Sequence, residues 1–493
     1  MNVLREGFEY GFSAIDPVGS PHIDPPSVAI YETLLRKGAR GEPLPGLAET
    51  WIVAPDEMSW TFVLREGARF HSGEACDAAA VVAALNGCRW GGHPQRQLWY
   101  WDAVDEVTVI DDLTVRVSLI HPYPRLPALL WGTHTAIHNE RLRLAHPTEY
   151  GFTIVDGTGP YRLVRWSPDE VIAESVAQDE SPRTIVWTSL VSEDARRRAA
   201  RSGDVSVLRA PPAGLRQDLS DAEWEFVELP QDSNAYLALN FRRTDLDFHR
   251  EEMRRAVSLA IDRRELVLDV FGGSAAATLG PVPPHDPYFR GVRPELVGGA
   301  NPPAAIEILE SLGWLVASDG IREREGVRLT VECLTQDSVV FHGMTRVIAR
   351  NLRAVGITLD MRFVPPFADF YAACEQDPSA ILSKWLWPDP LEAIVGFTAA
   401  AGEGSPNWQH AAIPELESAY ESWRIARTPA QFDEAAIRVQ RIFAERLPYI
   451  PLLTPTNTWL VRRDETDFIV AVEGLYPEYG RAARERQRER VRA

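Results

Sequence analysis

Between Leu329 and Phe363 the chain runs through a strand pattern, a helix pattern and a second strand pattern with almost nothing between them. Leu329 to Leu334 reads as a strand, Phe341 to Val355 carries a helical period that stops at Gly356, and Ile357 to Phe363 returns to strand. Strands joined by a crossover helix pair in parallel, and a parallel sheet must be covered by helices. The alternation therefore predicts an α/β lobe with a largely parallel sheet.

The next strand in this series is Ser383-Lys384-Trp385-Leu386-Trp387, followed by Pro388-Asp389-Pro390-Leu391-Glu392. Extended, Ser383, Trp385 and Trp387 share one face, with Lys384 and Leu386 on the other. Pro388 ends strand pairing. Asp389 at N-cap, Pro390 at N1 and Glu392 three residues on then read as a helix start. Two indoles at a strand end beside a helix N-terminus suit the wall of a ligand cleft.

With 493 residues, more than one core is expected, and 45% hydrophobic with 25% charged residues is the composition of a globular chain. No run approaches the ~18 apolar residues of a membrane helix. A net charge of −19 argues against nucleic acid as a partner, since phosphate contacts need a basic surface. Cys76, Cys88, Cys333 and Cys374 form no CxxC pair or metal-ligand spacing and read as buried thiols. Met1 to Tyr10 carries Arg5, Glu6 and Glu9 where a secretory signal needs an apolar core. On that reading the chain is cytosolic, or a mature form with an added Met, or its start is misassigned.

Upstream, Leu4 to Ala14 has strand character, and Asp24-Pro25-Pro26-Ser27 opens a helix with Ile30, Tyr31, Leu34 and Leu35 at helical spacing, to be stopped by Gly38. Leu47-Ala48-Glu49-Thr50-Trp51 precedes a strand in which Trp60, Phe62 and Leu64 alternate with Thr61, Val63 and Arg65. Gly67 and Gly73 mark turns around Phe70-His71, and Asp77 caps a helix to Leu85. Gly157-Thr158-Gly159-Pro160-Tyr161 is a turn that lacks the lysine and spacing of a phosphate loop. Tyr236 to Phe241 is a strand, and Met253 to Val267 a helix with Ala256 and Ala260 as a close-packing stripe. Ala304 to Leu312 and Phe432 to Leu447 are further helices, followed by Pro448-Tyr449-Ile450-Pro451-Leu452.

In that order, these segments resemble family 5 of the solute-binding proteins of ATP-binding cassette (ABC) importers, the oligopeptide, dipeptide and nickel-binding type. The likeness rests on Leu47, Ala48, Trp51, Phe62, Leu64, Arg65, Gly67, Phe70, His71 and Gly73. It continues through the Gly157 to Tyr161 turn, Arg255, Ala256, Ala260, Ile261, Asp262 and Arg263, and the Pro448 to Leu452 segment. It implies a two-lobed periplasmic-binding-protein-like α/β fold (type II, cluster C-like) with an extra β-rich subdomain in the first lobe. Lobe I would hold residues 1–240 and 454–493, with the subdomain at about 47–163. Lobe II would hold 241–453, with hinge crossings near Asn240 and Thr454. The resemblance further implies capture of a small solute in an interlobe cleft and its delivery to a membrane permease; a monomer without cofactor is expected, and metal is disfavoured as a direct ligand because no histidine or cysteine cluster appears. It would act in the periplasm or otherwise outside the cytoplasm. A cytosolic sensor or an enzyme on the same fold is the alternative.

No catalytic constellation is assembled in sequence. His22, His71, His121, His134 and His138 are scattered without HExxH, and Ser13 and Ser72 lie in no nucleophile elbow. Fifteen tryptophans are the excess. Trp51, Trp60 and Trp314 sit in core patterns, whereas Trp99-Tyr100-Trp101, Trp385, Trp387 and Trp408 lie near strand ends or in loops, where core packing and ligand stacking are both open. Peptide-binding members carry an aspartate a few residues before the Asp389-Pro390 pair to receive the ligand's amino group; this chain is shorter there and has Trp387 near that place. A buried ammonium needs a paired anion, so a free peptide N-terminus is disfavoured. An aromatic, sugar-like or hydrophobic group, or a cation over an indole, is favoured. The candidate ligand contacts are Trp387, Trp385, Asp389, Trp408, Asn407, Ser13, His22, Trp99 and Tyr100, with N-capping the first role for Asp389.

Overall fold

The computed structural model describes residues 3–20, 24–38, 42–90, 101–177, 182–212, 214–231, 233–278, 280–286, 289–290, 300–365, 368–386, 394, 407–470 and 477–492. Two compact units divide the chain, Met1–Leu229 with Asn457–Ala493, and Pro230–Thr456.

The first unit begins with β1 (Val3–Phe8), whose Leu4, Glu6 and Phe8 turn to one face. Six residues form α1 (Pro25–Ile30), which ends well before Gly38. The Ile30 carbonyl, which would carry the helix onward, instead accepts from Gly159 N at 2.9 Å. Tyr31 is accordingly extended (φ −111°, ψ 151°), and Leu35–Lys37 is a short strand. Next come β2 (Ala48–Val53), β3 (Ser59–Leu64), α2 (Ala78–Trp90), β4 (Val104–Asp111) and β5 (Thr114–Leu119). Their strands form an antiparallel sheet in the order β2–β3–β5–β4. Trp60, Phe62 and Leu64 are buried as the alternation requires, and Asp77 accepts from Ala80 N at 2.9 Å as the cap of α2.

The main sheet of this unit adds β6 (Tyr161–Trp166), β7 (Glu170–Ser175), β8 (Thr184–Ser189), α3 (Glu193–Ser202), β9 (Val207–Arg209) and β10 (Trp224–Pro230). Strand β1 lies between β8 and β9 and is parallel to both. Since β8 reaches β9 through α3, this is a crossover that steps over the central strand. Phe8, Tyr161, Trp187 and Val207 belong to the core it covers.

The second unit opens with β11 (Ser233–Leu239) and α4 (Glu251–Ala260), which ends where Asp262 caps a new turn by accepting from the Arg264 and Glu265 amides. It continues with β12 (Ala275–Ala277), α5 (Pro302–Ser311), β13 (Thr330–Gln336), α6 (Val339–Ala354), β14 (Thr358–Val364), α7 (Ala368–Cys374) and β15 (Ala380–Leu386). Helices α8 (Pro414–Arg424) and α9 (Pro429–Arg446) precede the thirteen-residue β16 (Ile450–Arg462). The order is β14–β13–β15–β11–β16, with β13 parallel to both of its neighbours and β11 antiparallel to β15 and β16. The α/β pattern of residues 329–363 is thus realised as β13–α6–β14. Because β11 is hydrogen-bonded along its length to β15, it lies in the second unit, about ten residues ahead of the crossing expected near Asn240.

The end of β16 returns to the first unit, where Trp459, Leu460 and Val461 pair antiparallel with β9. A short pair, β17 (Phe468–Val470) and β18 (Pro477–Tyr479), and α10 (Gly480–Arg492) complete the chain. All four cysteines are free and buried. Among the described residues no helix is long and apolar enough to cross a membrane.

Candidate functional site

In parallel sheets, ligands bind outside the carboxyl ends of the strands where the connection direction reverses. In the first unit that position is the end of β1, β8 and β9, and a polar cluster occupies it. Arg209, last in β9 and opposite Trp459, is buried at 8% exposure. Its Nη1 donates to the Tyr10 hydroxyl at 2.9 Å, and its Nε lies 3.4 Å from Glu9 Oε1. The guanidinium sits over the rings of Tyr10 at 5.4 Å and Trp459 at 5.6 Å. Burial pulls its pKa down, but Tyr10, Glu9, Glu6 and Asp24 hold it above the usual value.

Beneath it, Glu6 is fully buried on β1. Its Oε2 accepts from the Tyr479 hydroxyl at 2.9 Å, which accepts in turn from Trp187 Nε1 at 3.0 Å. Burial raises this carboxyl to about 8, against the opposing pull of Tyr479 and Arg209, so it is protonated at neutral pH. The loop after β1 is pinned by Asp24, whose Oδ2 accepts from Ser13 N and Ser13 Oγ, both at 2.9 Å. The Ser13 carbonyl accepts from Trp166 Nε1 at 2.9 Å. Ser13 therefore spends its amide, carbonyl and hydroxyl on shaping the loop, and Asp24 holds Ser13 rather than capping α1 with its side chain.

In the second unit the corresponding place is the carboxyl end of β13, β14 and β15. Trp385 stands in β15 opposite Asn234, and Ser383, opposite Tyr236, is buried. Trp408 belongs instead to the segment at the amino end of β15, where Gln409 O accepts from Phe241 N; it is half-buried in an aromatic group, 5.9 Å from Tyr371 and edge-on to Phe370 at 6.3 Å. Asn407 clasps a turn: its Nδ2 donates to Ala411 O and its Oδ1 accepts from Ala411 N, each at 2.9 Å. His22, Trp99, Tyr100, Trp387 and Asp389 lie outside the described residues. Of the nine expected contacts, Trp385, Asn407 and Trp408 belong to the second unit and Ser13 to the first.

The motif residues outside these clusters are structural. His71 N donates to Gly157 O, and His71 Nε2 is 2.9 Å from Gly159 O, so the two glycine-bearing turns are tied together. Ser72 donates from N and Oγ to Asp156. Arg254 and Arg263 give their forks to backbone carbonyls, Arg254 to Phe248 and Leu447, Arg263 to Pro451 and Ser258. Trp314 is fully buried, its Nε1 donating to Asp247 Oδ2 at 3.0 Å.

Sequence reasoning missed Arg209, Tyr10, Glu9 and Glu6. One signal was present: a glutamate between Leu4 and Phe8 on the core face of a strand is out of pattern. Tyr10 and Trp459 reach Arg209 from far along the chain, which no local pattern reveals.

Known proteins share this architecture. The chain superimposes on an oligopeptide-binding protein of Bacillus subtilis solved with a nonapeptide (TM-score 0.82, 18% identity, 96% of this chain and 97% of that one). It matches equally a binding protein of Agrobacterium tumefaciens solved with agropinic acid (TM-score 0.81, 19% identity, 97% and 98%). A Campylobacter jejuni protein solved with Ni(L-His) gives a TM-score of 0.80 at 16% identity over 96% and 97%. The fold is that of the two-lobed type II periplasmic binding proteins. In sequence, glutathione-binding proteins of Salmonella paratyphi A and Escherichia coli are 26% and 28% identical over 275 and 277 residues. Each match covers 54% of this chain and about half (52%) of the relative. Residues 42–405, well over half of the chain, match the family model of the bacterial extracellular solute-binding proteins, family 5 Middle, and the chain belongs to that family.

Proposed function

We propose that the chain binds a small organic solute reversibly and presents it to the permease of an ABC importer, outside the cytoplasm and without chemistry. The observation that carries this reading is the family match over residues 42–405 together with a fold shared, end to end, with proteins solved around bound solutes. A solute site of this kind needs oriented polar groups, and the polar cluster at the end of β1, β8 and β9 supplies them within the first unit.

The solute is not a peptide held by a free N-terminus. Support comes from the resemblance: this chain is shorter before the Asp389-Pro390 pair and has Trp387 near the place where peptide binders keep an acid, and Asp389 precedes a proline in a helix-start pattern. Tryptophan fluorescence and calorimetric titrations with di- and tripeptides, their N-acetyl forms, glycosides and organic acids test it. Saturable binding of a non-peptide solute is the expected result. Tight binding of free di- and tripeptides that N-acetylation abolishes would remove this reading of the ligand.

A further inference from the structure

Several buried arginines among the described residues are tied to backbone carbonyls through more than one nitrogen. Arg254, Arg263 and Arg322 each direct two or more fork nitrogens at backbone carbonyls; in Arg322, Nε reaches Val355 O at 2.8 Å and Nη1 reaches Trp314 O at 2.6 Å. Arg209 does not. A guanidinium has five N–H donors. Among the described residues, the Arg209 fork makes one hydrogen bond, to a phenol hydroxyl, and its Nε finds no acceptor. Glu9 balances the charge from 3.4 Å without taking a hydrogen bond. The charge is compensated while the donors are not.

Two further observations give that vacancy a direction. Arg209 ends β9, at the carboxyl end of three parallel strands, which is the end at which such sheets take ligands. The guanidinium is also buried and lies over the rings of Tyr10 and Trp459, so little side-chain freedom remains to be lost when a partner arrives. A planar oxyanion that takes two parallel N–H bonds is the complement of such a fork.

We propose that Arg209 is the anchor for a carboxylate group of the solute, which docks on the open edge of its guanidinium and displaces Glu9. This rests on the reading that the chain captures a solute, and it adds the chemical class: an organic acid. Glu6 assists by being neutral. With its carboxyl protonated it does not compete for the cation, and the pair with Glu9 is the contact an entering carboxylate replaces.

The test separates the anion site from the transport role. Arginine side chains of the full-length protein are labelled with 15N and 13C, and the Arg209 resonances, assigned by their loss in Arg209→Lys, are followed during titration with acetate and with its neutral isostere acetamide. A saturable shift with acetate alone is expected. Identical responses to both probes would overturn the proposal, whether or not the variant folds. A panel of carboxylated solutes and their methyl esters is then screened by thermal shift and calorimetry on wild type and Arg209→Lys, with circular dichroism to confirm folding. Esterification or the substitution should each weaken a bound acid roughly tenfold or more, the effect of losing a charge-assisted hydrogen-bond pair. A solute bound equally as acid and ester, and equally by both proteins, would overturn the carboxylate anchor while leaving solute capture intact. An acetate site with no solute bound from the panel would support the anchor and count against capture.

Discussion

At the scale of single residues, the motif glycines earn their place by contact distance. A Cβ on Gly157 would lie 2.2 Å from the Ile30 carbonyl oxygen, and one on Gly159 would lie 2.6 Å from Ala29 O and Ile30 C. Backbone cannot yield as a side-chain tip can, so Gly159→Ala should lower stability by ~1–3 kcal/mol or more in equilibrium denaturation. Two titrating groups make a second prediction. Burial raises the Glu6 carboxyl to about 8. For His138, burial pushes downward, but hydrogen bonds with Cys88 and Glu140 outweigh it and raise the imidazole to about 9. Both folded values exceed the unfolded ones of about 4.3 and 6.5, so the folded state binds the extra proton. The Glu6 contribution is complete below about 4.3 and lost as pH rises through its folded value; that of His138 is complete below about 6.5 and lost likewise. Denaturation midpoints should therefore fall as pH rises from 5 to 9.5, and Glu6→Gln should flatten the part below pH 8. A curve rising with pH would reverse the assignment. Glu6 was legible as a charge in a core alternation, whereas the state of His138 was not, because its ring partners include Cys88, fifty residues upstream and without any motif between them.

Among elements, the helices with long apolar periods were readable and their ends less so. Strands β13 and β14 and helix α6 formed where the alternation put them. Helix α1 stopped early because a glycine amide from another turn took the carbonyl it needed, a competition between segments over a hundred residues apart. The start of α9 is local and strong: Thr428 accepts from Gln431 N while the Gln431 side chain accepts from the Thr428 amide. Thr428→Ala should cost about 1 kcal/mol in urea midpoint analysis, and the conservative Thr428→Ser much less. A larger loss is expected where an element is tied from inside. Arg263→Met removes the side-chain donor of the Pro451 carbonyl in a buried setting, at ~1–3 kcal/mol, while the Ser258 carbonyl keeps the Ile261 amide. Near-neutral denaturation of that variant would show the buried cation to be dispensable.

For the whole molecule, the family resemblance is legible in sequence along almost the entire chain, because its marks are turn glycines, caps and close-packing alanines, which a fold cannot replace freely. The ligand end was less legible: Arg209, Tyr10 and Trp459 meet only when strands from opposite ends of the sequence are side by side, and such pairing leaves no periodic trace. Both chain ends fall in the first unit, and the second is one uninterrupted insert, Pro230–Thr456. In the order of synthesis this has a cost in time. Strand β9 is made early, but the segment of β16 that covers its open edge at Arg209 emerges roughly 250 residues later, tens of seconds at ~5–20 residues per second. Until then Val207 to Arg209 presents unpaired backbone to whatever strand is near. The first unit is thus the last to be finished although it is the first to leave the ribosome, and a nascent chain that stalls before Asn457 carries a complete second unit attached to an unfinished sheet.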